Sequence, residues 1–116
     1  MPKDNAYLAD MLKAAQAIRR FISGVSKEEF HANEEKYEAV NRKLEIIGEA
    51  ARHLSPEARQ AFPEVPWNLV CAMRNILIHD YDDVDLNIVW RTAQEDLPKL
   101  IRSIEAYLAT QPPPTT

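Results

Sequence analysis

Glycine occurs only at Gly24 and Gly48 in a chain of 116 residues, and this scarcity of chain-breaking residues constrains the fold more than any other feature. Few turn signals combined with abundant Ala, Leu, Glu, Lys and Arg, all good helix formers, point to an all-α fold. The prolines fall mostly between periodic stretches, where they separate helices. At this length one domain is expected, burying roughly two-thirds of the extended chain's surface in a single layered core. The expected architecture is an up-and-down helical bundle of four main helices plus a short helix. It occupies residues 1–111, and a Pro-rich tail at residues 112–116 is expected to be flexible.

Periodicity places the elements. Asp4 is expected to cap a first helix over residues 5–22, with Leu8, Met11, Ala15, Ile18 and Ile22 recurring at three- and four-residue steps. Ser23-Gly24 ends it. Ser26 and Glu29 form a capping-box pattern opening a long helix to about residue 54, with Val40, Leu44, Ile47, Ala51 and Leu54 on one stripe. Its first half is charged on most sides and is expected to project into solvent or meet a partner. Gly48 inside this helix costs roughly 1 kcal/mol relative to alanine, which the close approach of another helix would offset. Ser55-Pro56 opens a short helix ending near Phe62, and Pro63 and Pro66 hold the next connection extended. A third main helix is expected over residues 67–78. A fourth follows the acidic turn at residues 80–85 and runs to about residue 110, with Leu86, Val89, Ala93, Leu97, Ile101, Ile104 and Leu108 inward and a kink at Pro98.

Several classes of function are excluded. Fourteen basic against eighteen acidic residues leave a formal charge of −4, so the chain is no polycation that holds nucleic acid by bulk charge, although it can grip a few phosphates locally. Cys71, the single cysteine, cannot form an intramolecular disulfide, which favours a reducing compartment. It falls in an apolar run and reads as a small buried hydrophobe. Purely apolar runs reach about five residues against the ~20 a membrane span needs, and the first residues lack a leader pattern, so a cytoplasmic protein without membrane contact is expected. His31, His53 and His79 are separated by 53 − 31 = 22 and 79 − 53 = 26 positions, with no metal-ligand spacing among them; no metal and no cofactor are expected. His31, amid glutamates, reads as a solvated surface residue, and His53 as a cation offsetting a helix dipole.

The chemistry-bearing stretch is Arg74-Asn75-Ile76-Leu77-Ile78-His79-Asp80-Tyr81. It sets polar groups at the end of an otherwise apolar helix, where burial is expensive unless they face a cleft or a partner. Arg-x4-His-x-Tyr, as Arg74, His79 and Tyr81, resembles the signature of HepT-like toxins of the HEPN superfamily. The similarity extends through Ile46-Ile47-Gly48-Glu49-Ala50-Ala51, Val65-Pro66-Trp67, Asp85-Leu86-Asn87-Ile88-Val89-Trp90 and Asp96-Leu97-Pro98, covering about residues 5–108. The resemblance implies a small HEPN-like helical endoribonuclease toxin of a toxin–antitoxin pair, acting on tRNA or mRNA as a homodimer. It also implies a neutralising partner, an MNT-type nucleotidyltransferase antitoxin that attaches AMP to the tyrosine of the motif, here Tyr81.

Residue chemistry leads the same way. Cleaving RNA without a metal needs a base for the 2′-OH proton, an acid for the leaving 5′ oxygen and a cation on the phosphorane. Histidine suits the first two and arginine the third. One histidine per chain is one too few, and twofold symmetry would bring His79 and Arg74 of two subunits to one cleft. In an unbroken helix these positions lie ~140° apart, so either the helix ends before His79 or the pair works across chains. Asn75 can orient a phosphate or cap locally. A plainer role for Arg74 is an ion pair with Asp80 or Asp82, with His79 capping the last carbonyls and Tyr81 wedged between helices. Arg19, Arg20, Arg42, Lys43 and Arg52 are candidates for a positive rim. The competing function is a non-catalytic helical subunit that binds a nucleotidyltransferase and helps position nucleotides, a reading favoured by the acidic residues 80–85.

Overall fold

The computed structural model describes residues 2–79 and 84–111, excepting the side chains of Pro2, Ile78 and His79. These residues form α1 (Pro2–Phe21), α2 (Lys27–Ala32), α3 (Glu34–Arg52), α4 (Pro56–Gln60), α5 (Trp67–His79), α6 (Leu86–Arg91) and α7 (Leu97–Ala109), with a π-helical turn (Thr92–Asp96) joining the last two. No strand occurs among them, in agreement with the all-α expectation. Helix α1 packs on α3 and α7, and α3 in turn carries α5. Among the described residues no helix is long and apolar enough to cross a membrane.

The core follows the predicted stripes. Leu8, Met11, Ala15 and Ile18 of α1 meet Val40, Leu44, Ile47 and Ala51 of α3 and Leu97, Leu100 and Ile104 of α7, all buried in one cluster. Each fully buried Leu or Ile contributes on the order of 1.5–3 kcal/mol. Several local departures from the sequence reading have physical causes. Helix α1 starts at Pro2, so Asp4 is not its cap. Instead its buried carboxylate accepts hydrogen bonds from the backbone N–H of Ser55 (2.9 Å) and the Ser55 hydroxyl (2.7 Å). Ser55 in turn caps α4 by accepting from the Ala58 N–H at 3.1 Å. The first turn of the chain is thereby tied to the start of a helix 51 residues away.

The long second helix is broken. The Ser26–Glu29 capping box forms as read, but Asn33 leaves the helical region at φ −109° and ψ 94° and caps α3 by accepting from the Lys36 N–H at 3.0 Å. The break lets α2 fold back rather than project. Phe30 is fully buried, 5.2 Å from the Trp90 ring and edge-on to Tyr37, and His31 is half-buried against it rather than solvated.

The last helix accommodates Pro98 with a π turn rather than a simple kink. Pro98 has no N–H to donate, and the Leu97 N–H reaches back to the Thr92 carbonyl, so neither bonds the Ala93 carbonyl. The Arg19 guanidinium donates to that carbonyl (3.0 Å) and to the Gln94 side chain (2.7 Å). Along this stretch Leu100 is buried where Ile101 was expected, and Leu86, Ile101 and Leu108 are half-buried.

Gly48 does what its position in the helix predicts. A Cβ there would lie 2.6 Å from the Arg74 Cβ and 3.1 Å from the Val70 carbonyl oxygen, so α3 and α5 touch at this residue. The start of α5 is held separately: the Trp67 indole N–H donates to the carbonyls of Arg59 (3.0 Å) and Phe62 (3.2 Å). Arg59 donates to the Ala51 carbonyl near the end of α3 (3.0 Å) and to the Cys71 Sγ (3.7 Å). Cys71 is thus half-buried with a guanidinium beside it, not a plain apolar filler.

Burial alone would raise the Asp4 carboxyl, but the backbone and side-chain donors of Ser55 outweigh it and hold the group below its usual range. With a lowered folded-state value, this stabilisation is complete above the unfolded pKa of ~4 and fades as pH falls through the folded value. Asp4→Asn is therefore expected to cost about 1–3 kcal/mol at neutral pH in urea unfolding, and the gap to wild type should close in acid. A gap that does not vary with pH would show that Asp4 acts by shape and not by charge. Gly48→Ala gains roughly 1 kcal/mol of helix propensity but overpacks the helix contact. A net loss of about 1–2 kcal/mol is expected, and a more stable variant would show that the two helices can separate at no cost.

Candidate active-site cleft

Because Gly48 lacks a side chain, Arg74 is held with its Cα and Cβ directly over α3. The next residue of that helix supplies its partner: Glu49 Oε2 pairs with Arg74 Nε. At the other end of the guanidinium, Nη1 donates to the Asn75 Oδ1 at 3.1 Å. Among the described residues Nη2 has no partner. The Arg74 side chain is 22% exposed and that of Glu49 is 40% exposed, so the pair sits at a rim, shielded from solvent on one side. Screening by salt is weaker there than for a freely exposed pair.

Glu49 is itself fixed by its own helix. Its Oε1 accepts from Arg52 Nη2 at 3.1 Å, three residues on. His53 Nε2 lies 3.1 Å from the same oxygen, four residues on, and donates in the tautomer that carries its hydrogen there. The Arg52 and His53 hydrogen bonds, joined by the charges of Arg52 and Arg74, hold the Glu49 carboxyl below its usual range against the opposing effect of burial. The His53 ring stacks on Tyr7 of α1, with centroids 5.1 Å apart and planes 16° from parallel. His53 is the C-cap of α3, as its place near a helix end suggested, but its partners are a carboxylate and a phenol ring.

These side chains border a cleft of about 380 Å³ between α1 and α3, with Arg74 of α5 at its edge. Its wall includes Tyr7 and Asp10 of α1 and Arg42, Glu45, Ile46, Glu49 and Ala50 of α3. Arg42 pairs with Glu45 at 2.9 Å. Arg42 and Arg52 are thus engaged by glutamates, and Arg19 by the π turn, so these three do not form the open positive rim considered from sequence. Among the described residues no three His, Cys, Asp or Glu side chains converge to hold a metal ion.

The motif residues are placed unevenly. Arg74 and Asn75 stand together on α5, half-buried and exposed respectively. Helix α5 runs through His79, which leaves positions 74 and 79 about 140° apart around its axis. The His79 side chain, Asp80, Tyr81 and Asp82 lie outside the described residues. Glu49, His53 and Tyr7 received no role at the cleft from the sequence. For Glu49 a signal existed: a helical glycine marks a close contact, and the residue beside it is well placed to meet whatever makes that contact.

The chain is similar to known proteins along most of its length. The family model described as ribonuclease HepT-like matches residues 11–107. The Methanocaldococcus jannaschii protein named "Putative RNase MJ1380" is 40% identical over 100 residues, covering 86% of this chain and 92% of that protein. "Probable ribonuclease HepT" of Thermococcus cleftensis is 38% identical over 94 residues, covering 81% and 86%. "Putative RNase TTE0752" of Caldanaerobacter subterraneus is 33% identical over 108 residues, covering 93% and 96%. No solved structure matches the chain. With the family model spanning most of its length and an all-helical fold carrying the motif arginine at a cleft, the chain belongs to the ribonuclease HepT-like family.

Proposed function

We propose that the chain is an endoribonuclease toxin that cleaves RNA through Arg74 and His79 without a metal, at a cleft shared by two copies. The observation that carries this reading is the position of Arg74, packed over Gly48 at the edge of the cleft with one guanidinium nitrogen unengaged among the described residues. A guanidinium so held matches phosphate oxygens and stays charged as the phosphorane forms. In the reaction the 2′ oxygen attacks phosphorus and the P–O5′ bond breaks. A base takes the 2′ proton and an acid protonates the departing 5′ oxygen, leaving a 2′,3′-cyclic phosphate and a 5′-hydroxyl. His79 of one copy serves as base and His79 of the other as acid.

Two features support pairing of copies. The angular separation of positions 74 and 79 along α5 directs them to different sides of one helix, which suits a site assembled across chains. On α5, Leu69 is 69% exposed and Ile76 47% exposed, and exposed Ala72 lies between them on one stripe. That stripe lies on the side of α5 nearer position 79 than position 74, and an exposed apolar face of this kind is what a twofold interface requires. The family relationship extends the proposal to an MNT-type nucleotidyltransferase antitoxin that transfers AMP from ATP to the Tyr81 hydroxyl, releasing pyrophosphate. A bulky anion two residues from His79 would then repel RNA. The engagement of Arg74 by Glu49 favours a second reading, a non-catalytic subunit that binds such a nucleotidyltransferase.

Purified protein incubated with total RNA in EDTA is expected to release fragments ending in 2′,3′-cyclic phosphate. Arg74→Ala and His79→Ala should each lower the rate at least ~100-fold. Leu69→Asp with Ile76→Asp should give monomers by sedimentation and lose cleavage together with the dimer. Unchanged cleavage by His79→Ala removes that residue from the mechanism, and RNA left intact by the wild type returns the chain to the second reading. Intact-mass measurement after incubation with the antitoxin and ATP should show AMP on the wild type and none on Tyr81→Phe; AMP gained by Tyr81→Phe would place the acceptor elsewhere.

A further inference from the structure

The proposed reaction gives no role to the carboxylate that touches its arginine. Resting on that reading, we infer that Glu49 is a positioning residue: it grips Arg74 by Nε and thereby turns the terminal nitrogens of the guanidinium toward the cleft where the scissile phosphate binds. An arginine offers five N–H groups in a planar fork, and a carboxylate on the Nε edge leaves the second N–H of Nη2, on the end shared with Nη1, for a phosphate oxygen. Glu49 takes that edge with Oε2, while its Oε1 is held by Arg52 and His53 at 3.1 Å each. One oxygen is in ion-pair contact with Arg74 and the other is held by hydrogen bonds, so the carboxylate has little freedom to turn. The Arg74 backbone is equally fixed, because α5 touches α3 at Gly48. Anchoring at the Cα and at Nε leaves the long side chain little freedom to wander, which is what pre-organised stabilisation of a phosphorane requires.

The contacts also distinguish positioning from a simple charge effect. A carboxylate near an RNA site repels phosphate, so if Glu49 contributed only its charge, removing it would tighten RNA binding and leave turnover alone. If it positions Arg74, removing it loosens a group needed at the transition state and lowers turnover. Asn75, which accepts from Nη1 at 3.1 Å, is exposed and can yield that nitrogen to a phosphate oxygen as RNA enters.

The test compares wild type, Glu49→Gln, Glu49→Asp, Arg74→Ala and the Arg74→Ala/Glu49→Gln double variant on total RNA, reading the cyclic-phosphate ends formed. Glu49→Gln is expected to lower kcat roughly 10- to 100-fold with KM changed less than about threefold, and Glu49→Asp to recover part of the loss. The double variant should be no slower than Arg74→Ala, because the two residues act as one unit. In nitrogen-resolved NMR, the Arg74 Nε–H should be protected from exchange in wild type and exchange freely in Glu49→Gln. Glu49→Gln turning over at the wild-type rate with a lowered KM, or an Nε–H indifferent to the substitution, would overturn the inference while leaving the proposed nuclease intact. Equal cleavage by wild type and Arg74→Ala would instead defeat the nuclease mechanism, and the role of Glu49 with it.

Discussion

The contact between α3 and α5 at Gly48 is the constraint on which the arrangement of the cleft depends. Helix α5 has α3 as its main neighbour, and a side chain at position 48 would collide with Arg74 and Val70. Close approach through a glycine costs helix propensity but brings two backbones within touching distance. Here that proximity lets an adjacent glutamate reach the motif arginine without either side chain needing to extend far. Fold and site are thus set by the same residue. The helix contact that builds the bundle also fixes where Arg74 stands.

The parts of this organisation that depend on neighbours in sequence could be read directly. The Ser26–Glu29 capping box, the Ser55 cap and the span of α5 from Trp67 are local signals, and each formed where its pattern lay. Gly48 was readable because a helical glycine has few explanations. Asn33 was harder: a 3.6-residue period continues through it, and only its capping chemistry, followed by the acidic pair Glu34 and Glu35, marks a new helix start. Asp4 could not be assigned, since a carboxylate at a chain start reads as a cap and its partner Ser55 is far along the chain. Glu49 lies 25 residues from Arg74 (74 − 49), and although the glycine beside it marks a close contact, nothing in the primary structure names Arg74 as the partner. Pairings of that kind follow from how helices stack, which residue spacing does not encode.

The cleft places mixed charges at close quarters. Arg42 with Glu45, and Arg52 and Arg74 with Glu49, engage three guanidinium groups with two carboxylates before any substrate arrives. On the proposed reading, a chain of net charge −4 would meet RNA with a focused contact and not a broad basic surface. Affinity built this way rests on few phosphates, so it should vary little with salt compared with proteins that neutralise many. Selectivity would then come from the shape of the RNA and from partner surfaces more than from bulk attraction.

The π turn at Thr92–Asp96 has a consequence for how the family can vary in length. It holds one residue more than an α-helix would need to join the flanking segments, and Arg19 plugs the carbonyl that this surplus exposes. Deleting one residue there would rotate Val89 and Trp90 by about 100° relative to Leu100 and Ile104, tearing Trp90 from Phe30. The surplus residue and Pro98 together leave the Ala93 carbonyl unbonded, so Arg19, by reaching it, ties α1 to the turn where the last helix departs from α-helical spacing.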